Sequence, residues 1–113
     1  MQAKACNPLG PAAKNKKDFI PIENPRTIAN AINCGNPVFG AEVLNATRET
    51  NGKIVSVSDA EMLSAKKELG NEGIYSEVSA ASSYAALKKT KLNGRIVCLV
   101  TGHGLKDDIP PTK

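Results

Sequence analysis

The apolar and polar positions of this chain alternate between patterns typical of strands and patterns typical of helices. Lys53–Ser58, KIVSVS, sets Val55 and Val57 against polar neighbours with a period of two, which predicts a strand. Arg95–Val100 carries a continuous apolar run rich in β-branched residues and bounded by glycines, which predicts a strand buried on both faces, as in a parallel sheet. Ile74–Glu77 predicts a third, short strand.

Helical patterns occupy the stretches between these strands. The predicted helices are a short one at Ala12–Lys17, one from Thr27 that stops at Gly35, and longer ones at Ala41–Glu49, from Ser58 to Gly70, and at Ser79–Lys91. The side chains expected to point inward are Ile28, Ala31 and Ile32, then Val43, Leu44 and Thr47, then Met62, Ala65 and Leu69. The order strand, helix, strand, helix, strand predicts an α/β fold with a parallel sheet flanked by helices.

Three strands would form only part of such a sheet, because the edge strands need partners. The sequence therefore predicts a partial three-layer arrangement within a larger domain. Residues 1–26 contain four prolines and little periodicity, which predicts a connecting segment, and residues 27–113 are predicted to form the α/β part.

Composition places the chain among ordinary globular proteins. Hydrophobic residues make up 41% and charged residues 23% of its 113 residues, and no apolar stretch is long enough to span a bilayer. The start of the chain does not have the pattern of a secretory signal, so we expect a cytoplasmic protein. The three cysteines are widely spaced, which argues against a disulfide framework, and the single His103 has no companion at metal-ligand spacing.

The net charge of +4 comes largely from lysine clusters. Two tyrosines, two phenylalanines and no tryptophan offer few side chains for stacking on bases, and no nucleic-acid motif is present. We therefore interpret the lysines as solvated surface and expect no nucleic-acid partner.

Candidate chemistry lies just after the last predicted strand. In an open α/β sheet a ligand binds beyond the carboxyl ends of the strands, a place that Thr101–Gly104 would occupy here. The Thr101 hydroxyl can hydrogen-bond a ligand atom, and Gly102 lets backbone approach closely. A threonine that caps a local turn is the alternative for Thr101, and a solvent-facing loop side chain is the alternative to a proton shuttle for His103.

Two further stretches invite comparison with ligand sites. Small residues at Ser76–Ser83 begin a helix, where an anion could bind, although close helix packing is the favoured interpretation. Asn33–Val38, NCGNPV, is a turn that could press backbone against a planar ligand or simply connect two helices.

Three motifs, in this order, resemble the C-terminal part of threonine synthases. They are TIANAINCGNPV at Thr27–Val38, EGIYSEVSAAS at Glu72–Ser82 and TGHGLKD at Thr101–Asp107. MQAKACNPL at Met1–Leu9 is also similar to that family, so the resemblance extends over essentially the whole chain.

The resemblance implies a fragment of the large domain of a fold type II enzyme with pyridoxal 5'-phosphate as cofactor. It implies that Thr101, followed by Gly102, hydrogen-bonds the pyridine nitrogen, and that the loop containing Asn36 lies near the cofactor ring. The family reaction is that of a lyase acting on a phosphate ester, converting O-phospho-L-homoserine and water to L-threonine and phosphate. Val78 departs from the family pattern, which has proline after the glutamate.

The resemblance also implies groups that cannot be placed in this sequence. Members of the family bind the cofactor through a lysine and hold its phosphate with a glycine-rich loop, and no residue here matches either. We therefore assign no catalytic residue, expect the chain alone to be inactive, and expect the remainder of the enzyme fold as a partner, with a homo-oligomer possible. The alternatives are a noncatalytic regulatory or interaction module and a fragment of a related serine/threonine dehydratase.

Overall fold

The computed structural model describes residues 1–107, so the end of the predicted 27–113 region lies outside the described residues. The chain divides into two compact units, Met1–Asp59 and a second that begins at Ala60. Each unit has its own buried residues. Along residues 1–107, no helix is both long and apolar enough to cross a membrane.

A short parallel strand pair organises the first unit. β1 (Gln2–Ala3) pairs with β2 (Ser56–Val57), with Ala3 opposite Val57, and these two side chains are fully buried. The strand predicted at Lys53–Ser58 is confirmed at its centre. β1 was not predicted, because two residues are too short to show a period.

Two helices complete the buried cluster of this unit. α1 (Leu9–Asn15) and α2 (Gly40–Glu49) contribute Leu9, Ala12 and Leu44, against which Phe19 and Ile54 pack. The helix predicted at Ala41–Glu49 is confirmed, and the short helix at Ala12–Lys17 begins and ends earlier than predicted. Val43 is exposed rather than inward, because the buried side of α2 is formed by Gly40 and Leu44, which lie about one helical turn apart.

The helix predicted from Thr27 is wrong, since only a 3₁₀ turn at Asn30–Ile32 forms there. Side-chain hydrogen bonds give the backbone another conformation at this point. Asp59 accepts from the Thr27 hydroxyl and from the Ile28 amide at 3.3 Å, and the Thr27 hydroxyl oxygen accepts from the Ala29 amide at 3.2 Å. Such bonds compete with the helical pattern, which leaves Ile28 partly exposed.

The second unit is built on α3 (Asp59–Asn71) and α4 (Val78–Lys89). Met62, Ala65 and Leu69 form the buried stripe of α3, as predicted. The buried residues of α4 are nearly all small: Val78, Ser79, Ala80, Ala81, Ser82, Ala85 and Ala86. Burial of these small side chains supports the packing interpretation of this stretch.

Ion pairs join the ends of α3 and α4. Lys88 binds Glu68, and Lys89 Nζ lies 3.0 Å from Glu61 Oε1. The hydrogen bond from Lys88 lowers the pKa of the Glu68 carboxyl, because it stabilises the ionised form. These pairs are largely exposed, so each contributes little to stability.

Two predicted strands of the second unit do not form. Arg95–Val100 is not paired with any described strand, and Val97 and Leu99 are 79% and 71% exposed, so the prediction of a strand buried on both faces is wrong for the described chain. A strand needs a hydrogen-bonded neighbour, and β1–β2 is the one sheet among residues 1–107. Ile74–Glu77 is reduced to a single antiparallel bridge between Ser76 and His103.

Candidate functional site

The segment after the apolar run folds back onto the start of α4. We call residues Thr101–Asp107 the glycine loop. The Glu77 amide donates to the Gly102 carbonyl at 3.0 Å, and the Gly104 amide donates to the Tyr75 carbonyl at 2.8 Å. Two backbone bonds therefore fix the loop against the residues that lead into the helix.

The two glycines of this loop are required by close contacts. A Cβ added at Gly102 would lie 2.0 Å from Glu77 Oε1 and 2.3 Å from its carboxyl carbon. A Cβ at Gly104 would lie 2.7 Å from the Tyr75 ring. No side chain fits at either position without displacing a neighbour, so packing accounts for both glycines.

Asp107 closes the far end of the loop. Its Oδ2 accepts from the Val78 amide at 2.8 Å and also binds Lys66 Nζ from α3. The side chains of Lys66 and Asp107 are only 15% and 20% exposed. A carboxylate at this place satisfies a free amide of α4 and complements the partial positive charge of the helix N-terminus.

Aromatic contacts support the same end of the loop. Lys66 Nζ lies 5.6 Å from the centre of the Tyr75 ring, and the Tyr75 and His103 rings meet edge-to-face with centroids 5.3 Å apart. His103 is exposed, and its Nδ1 accepts from the Leu105 amide at 3.2 Å. The solvent-facing alternative for His103 therefore fits its surroundings, with Nδ1 occupied by its own loop.

Glu77 is a buried carboxylate beside Gly102. It is 5% exposed, and Lys106 Nζ lies 3.3 Å from its Oε2. The lysine side chain is itself 63% exposed, so its charge remains hydrated while it offsets the charge of the carboxylate. The exposed Lys106 therefore pairs with the buried Glu77 carboxylate across the glycine loop.

Ser76 carries an unsatisfied polar atom next to this carboxylate. Its side chain is fully buried, and its Oγ has no hydrogen-bond partner within residues 1–107. A buried hydroxyl without a partner is costly, which points to a polar group that the described chain does not contain. The unpaired hydroxyl is therefore compatible with a polar partner from outside residues 1–107.

Thr101 and Gly102 lie at the start of the glycine loop in the second unit, and Asn36 belongs to the first unit. Thr101 is exposed at the start of the glycine loop, and its hydroxyl makes no hydrogen bond with another described residue. Asn36 is exposed in the first unit, in a loop held by the Ile22 amide, which donates to the Gly35 carbonyl at 3.0 Å. A free neutral hydroxyl beside closely packed backbone suits a ring nitrogen of pyridoxal phosphate.

Sequence reasoning missed the residues that hold the loop in place. Glu77, Tyr75, Lys66 and Asp107 were not predicted to contact it. Three of them lie within two motifs that resemble one family, and paired motifs of this kind are a signal of spatial contact. Lys66 on α3 carries no such signal, because its neighbour Lys67 has the same residue type and is exposed.

Comparison with known proteins places the chain in an enzyme family. The sequence profile described as "Pyridoxal-phosphate dependent enzyme" matches residues 1–102. The chain is 45% identical to the threonine synthase of Methanocaldococcus jannaschii, covering 95% of this chain and 28% of that protein. It is 43% identical to the threonine synthase of Methanosarcina acetivorans, with the same coverage of each. The threonine synthase of Synechocystis sp. is 42% identical over 88% of this chain and 28% of its own length.

A solved structure shows the same fold. The crystal structure of the T.th. threonine deaminase superimposes with a TM-score of 0.71 at 21% identity, covering 96% of this chain and 39% of that one. The predicted α/β fold with a parallel sheet is confirmed, as is the resemblance to the threonine synthase family. Pyridoxal phosphate is confirmed as the cofactor of the family, and the chain spans about 28% of the length of the threonine synthases it matches.

Proposed function

This chain belongs to the pyridoxal-phosphate dependent enzyme family, and we propose that it forms the C-terminal portion of a threonine synthase. The complete enzyme would convert O-phospho-L-homoserine and water to L-threonine and phosphate. Identity of 42% to 45% with threonine synthases supports this reaction over that of a dehydratase, since the threonine deaminase is only 21% identical. The observation that carries the proposal is the Thr101 hydroxyl at the head of the fixed glycine loop, which has no hydrogen-bond partner among residues 1–107.

Thr101 and Gly102 would bind the cofactor ring in the complete enzyme. When bound, pyridoxal phosphate supplies an electron sink for reactions at the α-carbon and its neighbours in an amino-acid substrate. The Thr101 hydroxyl is neutral, so it can donate a hydrogen bond to the pyridine nitrogen without favouring protonation of the ring, as a carboxylate would. Asn36 would lie on the loop near the ring, as the resemblance implies.

The packing of the loop defines what this chain contributes to that site. Gly102 is held by the Glu77 amide, and Asp107 is held by the Val78 amide. These two hydrogen bonds limit the movement of the loop that begins at Thr101, and a preorganised hydroxyl loses less entropy when it binds a ring. The chain therefore orients the cofactor, while covalent attachment and phosphate binding belong to the remainder of the enzyme fold.

Phosphate release from O-phospho-L-homoserine tests the proposal. We define the joined enzyme as an upstream threonine synthase segment fused to this chain. With added cofactor, the joined enzyme is expected to release phosphate and L-threonine, and the chain alone is expected to release none, because covalent catalysis needs the amine nucleophile.

Three results would contradict the proposal. Turnover by the chain alone, with borohydride trapping the cofactor on one of its lysines, would show that the chain holds its own nucleophile. A folded joined enzyme that binds cofactor but deaminates threonine instead would favour the dehydratase alternative. A folded joined enzyme that never binds cofactor would favour a noncatalytic module.

A further inference from the structure

We infer that Lys66 is a positioning residue, which acts through Asp107 to set the glycine loop in the place where Thr101 meets the cofactor. The inference rests on the proposed function for its last step only. Its first step, control of the loop by Lys66, depends on contacts within this chain. Lys66 lies on α3, far along the sequence from the loop that it contacts.

The contacts of Lys66 converge on the end and the middle of the glycine loop. Its Nζ binds Asp107 Oδ2, the same oxygen that accepts from the Val78 amide. It also lies 5.6 Å from the centre of the Tyr75 ring, against which Gly104 packs. One ammonium group therefore touches the carboxylate that ends the loop and the ring that supports its middle.

Burial distinguishes this lysine from its neighbours. The Lys66 side chain is 15% exposed, whereas those of Lys88 and Lys89, which pair with glutamates on α3, are 44% and 40% exposed. A largely buried pair is weakly screened by solvent, and loss of one partner leaves the other charge with little compensation. Removal of the Lys66 charge would leave Asp107 with the Val78 amide as its remaining described hydrogen-bond donor.

The position of Thr101 follows from these contacts. Asp107 fixes one end of the glycine loop, and Gly102, next to Thr101, is fixed by the Glu77 amide. If Asp107 loses the ammonium group, its carboxylate can turn toward water and release the Val78 amide. The loop would then be held by the backbone bonds at Gly102 and Gly104 and by the exposed Lys106–Glu77 ion pair, which widens the range of positions that the Thr101 hydroxyl occupies.

Hydrogen exchange of single amides in the full 113-residue chain tests the first step. In Lys66→Met, we expect the Val78 and Gly104 amides to exchange about tenfold faster or more, as for loss of a charge-assisted hydrogen bond. Lys67→Met removes the same charge from the exposed neighbouring residue and is expected to leave both amides unchanged. Lys66→Arg keeps the charge and is expected to restore the exchange rates to within about threefold of the parent.

Two measurements keep the test decisive if Lys66→Met destabilises the whole chain. The Gly52 amide, which donates to the Thr47 carbonyl at 2.8 Å in the first unit, reports general unfolding. Asp107→Asn retains an oxygen that can accept from Val78 but loses the ion pair, so it is expected to accelerate exchange at Gly104 while Gly52 is unaffected. Equal exchange at Val78 and Gly104 in the Lys66→Met and Lys67→Met chains would overturn the inference.

Cofactor titration of the joined enzyme tests the second step and separates it from the proposed function. Lys66→Met is expected to weaken cofactor binding by about threefold to tenfold, in proportion to the loosening of the loop. Thr101→Val is expected to weaken binding without changing exchange at Gly104. If Lys66→Met loosens the loop and the cofactor binds as in the parent, the positioning role is wrong. If Thr101→Val also has no effect on binding, the assignment of Thr101 fails independently.

Discussion

Two adjacent stretches of the second unit, Arg95–Val100 and the glycine loop, are held in opposite ways. Arg95–Val100 is apolar, yet Val97 and Leu99 are 79% and 71% exposed and no described strand pairs with it. The glycine loop is mostly small and polar, yet Gly104 is buried and two backbone hydrogen bonds fix the loop to the start of α4. The chain thus holds its proposed cofactor loop with its own residues, whereas its last predicted strand finds no partner strand among residues 1–107.

The largest effect is expected from a methyl group placed inside the fixed loop. Gly102→Ala would bring a Cβ to 2.0 Å from Glu77 Oε1, and this overpacking should lower the free energy of unfolding by about 1 to 3 kcal/mol. Gly70→Ala is the matched control, since Gly70 lies in α3 with nothing within 4 Å of the added Cβ. It should stabilise the chain by up to about 1 kcal/mol. Urea unfolding followed by far-UV circular dichroism measures both.

A second variant separates packing from other causes. Gly102→Ala combined with Glu77→Ala removes the group that the new Cβ would meet, so it should be less unstable than the sum of the two single variants. Equal stability of Gly102→Ala and Gly70→Ala would show that the loop is not packed as closely as the structure has it.

The exposed apolar segment Arg95–Val100 should make the chain self-associate. Exposed apolar side chains on a segment that pairs with no described strand are a surface on which another copy can bind. We expect sedimentation velocity to show concentration-dependent association of the parent chain, and Val97→Lys with Leu99→Lys to abolish it. Ile20→Lys with Val38→Lys changes two residues that are 82% and 89% exposed in the first unit and should leave association unchanged. A parent chain that sediments as a sharp monomer would contradict this prediction.

The reactivity of the cysteine thiols tests, with a smaller expected effect, whether the Arg95–Val100 segment is accessible in the isolated chain. Cys98 is half-buried in the apolar segment, whereas Cys6 is buried with a pKa raised by desolvation, by the charge of Asp59 and by Cys34. Thiolates react and thiols do not, so iodoacetamide at about pH 8 should label Cys98 before Cys6 in the isolated chain. In the joined enzyme, where strands would cover the segment, Cys98 should become as slow as Cys6.

The raised pKa of Cys6 also predicts a pH dependence. A folded-state pKa above the unfolded value means that folding favours the neutral thiol, so this stabilisation is present below the unfolded pKa and is lost as the pH rises through the folded pKa. Cys6→Ala should therefore reduce the loss of stability on the alkaline side. Urea midpoints of both chains between neutral and alkaline pH measure it, and parallel curves would contradict the prediction.

Sequence patterns predicted the parts of the fold that depend on local periodicity. The stripe of Met62, Ala65 and Leu69 is buried as expected, because α3 is long enough to show a helical period. The helix from Thr27 failed because Asp59, distant in sequence, binds Thr27 and Ile28. Helix propensity depends on neighbouring residues and therefore does not include a hydrogen bond to a residue as distant as Asp59.

The candidate site shows the same division between local pattern and tertiary contact. Thr101 and Gly102 could be selected from the pattern of a strand followed by small residues, together with the family resemblance. Lys66 could not be selected, because its contact with Asp107 exists only once α3 lies beside the glycine loop. The sequence therefore predicts a candidate ligand residue, whereas the residues that hold the glycine loop are identified only from the tertiary contacts.

The most direct test of the account is a cofactor titration of the joined enzyme, followed by absorbance. Thr101→Val should weaken binding of pyridoxal phosphate by the worth of one hydrogen bond, about 0.5 to 1.5 kcal/mol. Thr101→Asp should shift the absorbance of the bound ring toward the protonated form, because a nearby carboxylate favours the pyridinium. His103→Ala should bind as the parent does. A Thr101→Val enzyme indistinguishable from the parent, beside a His103→Ala enzyme that loses the cofactor, would contradict the assignment of Thr101.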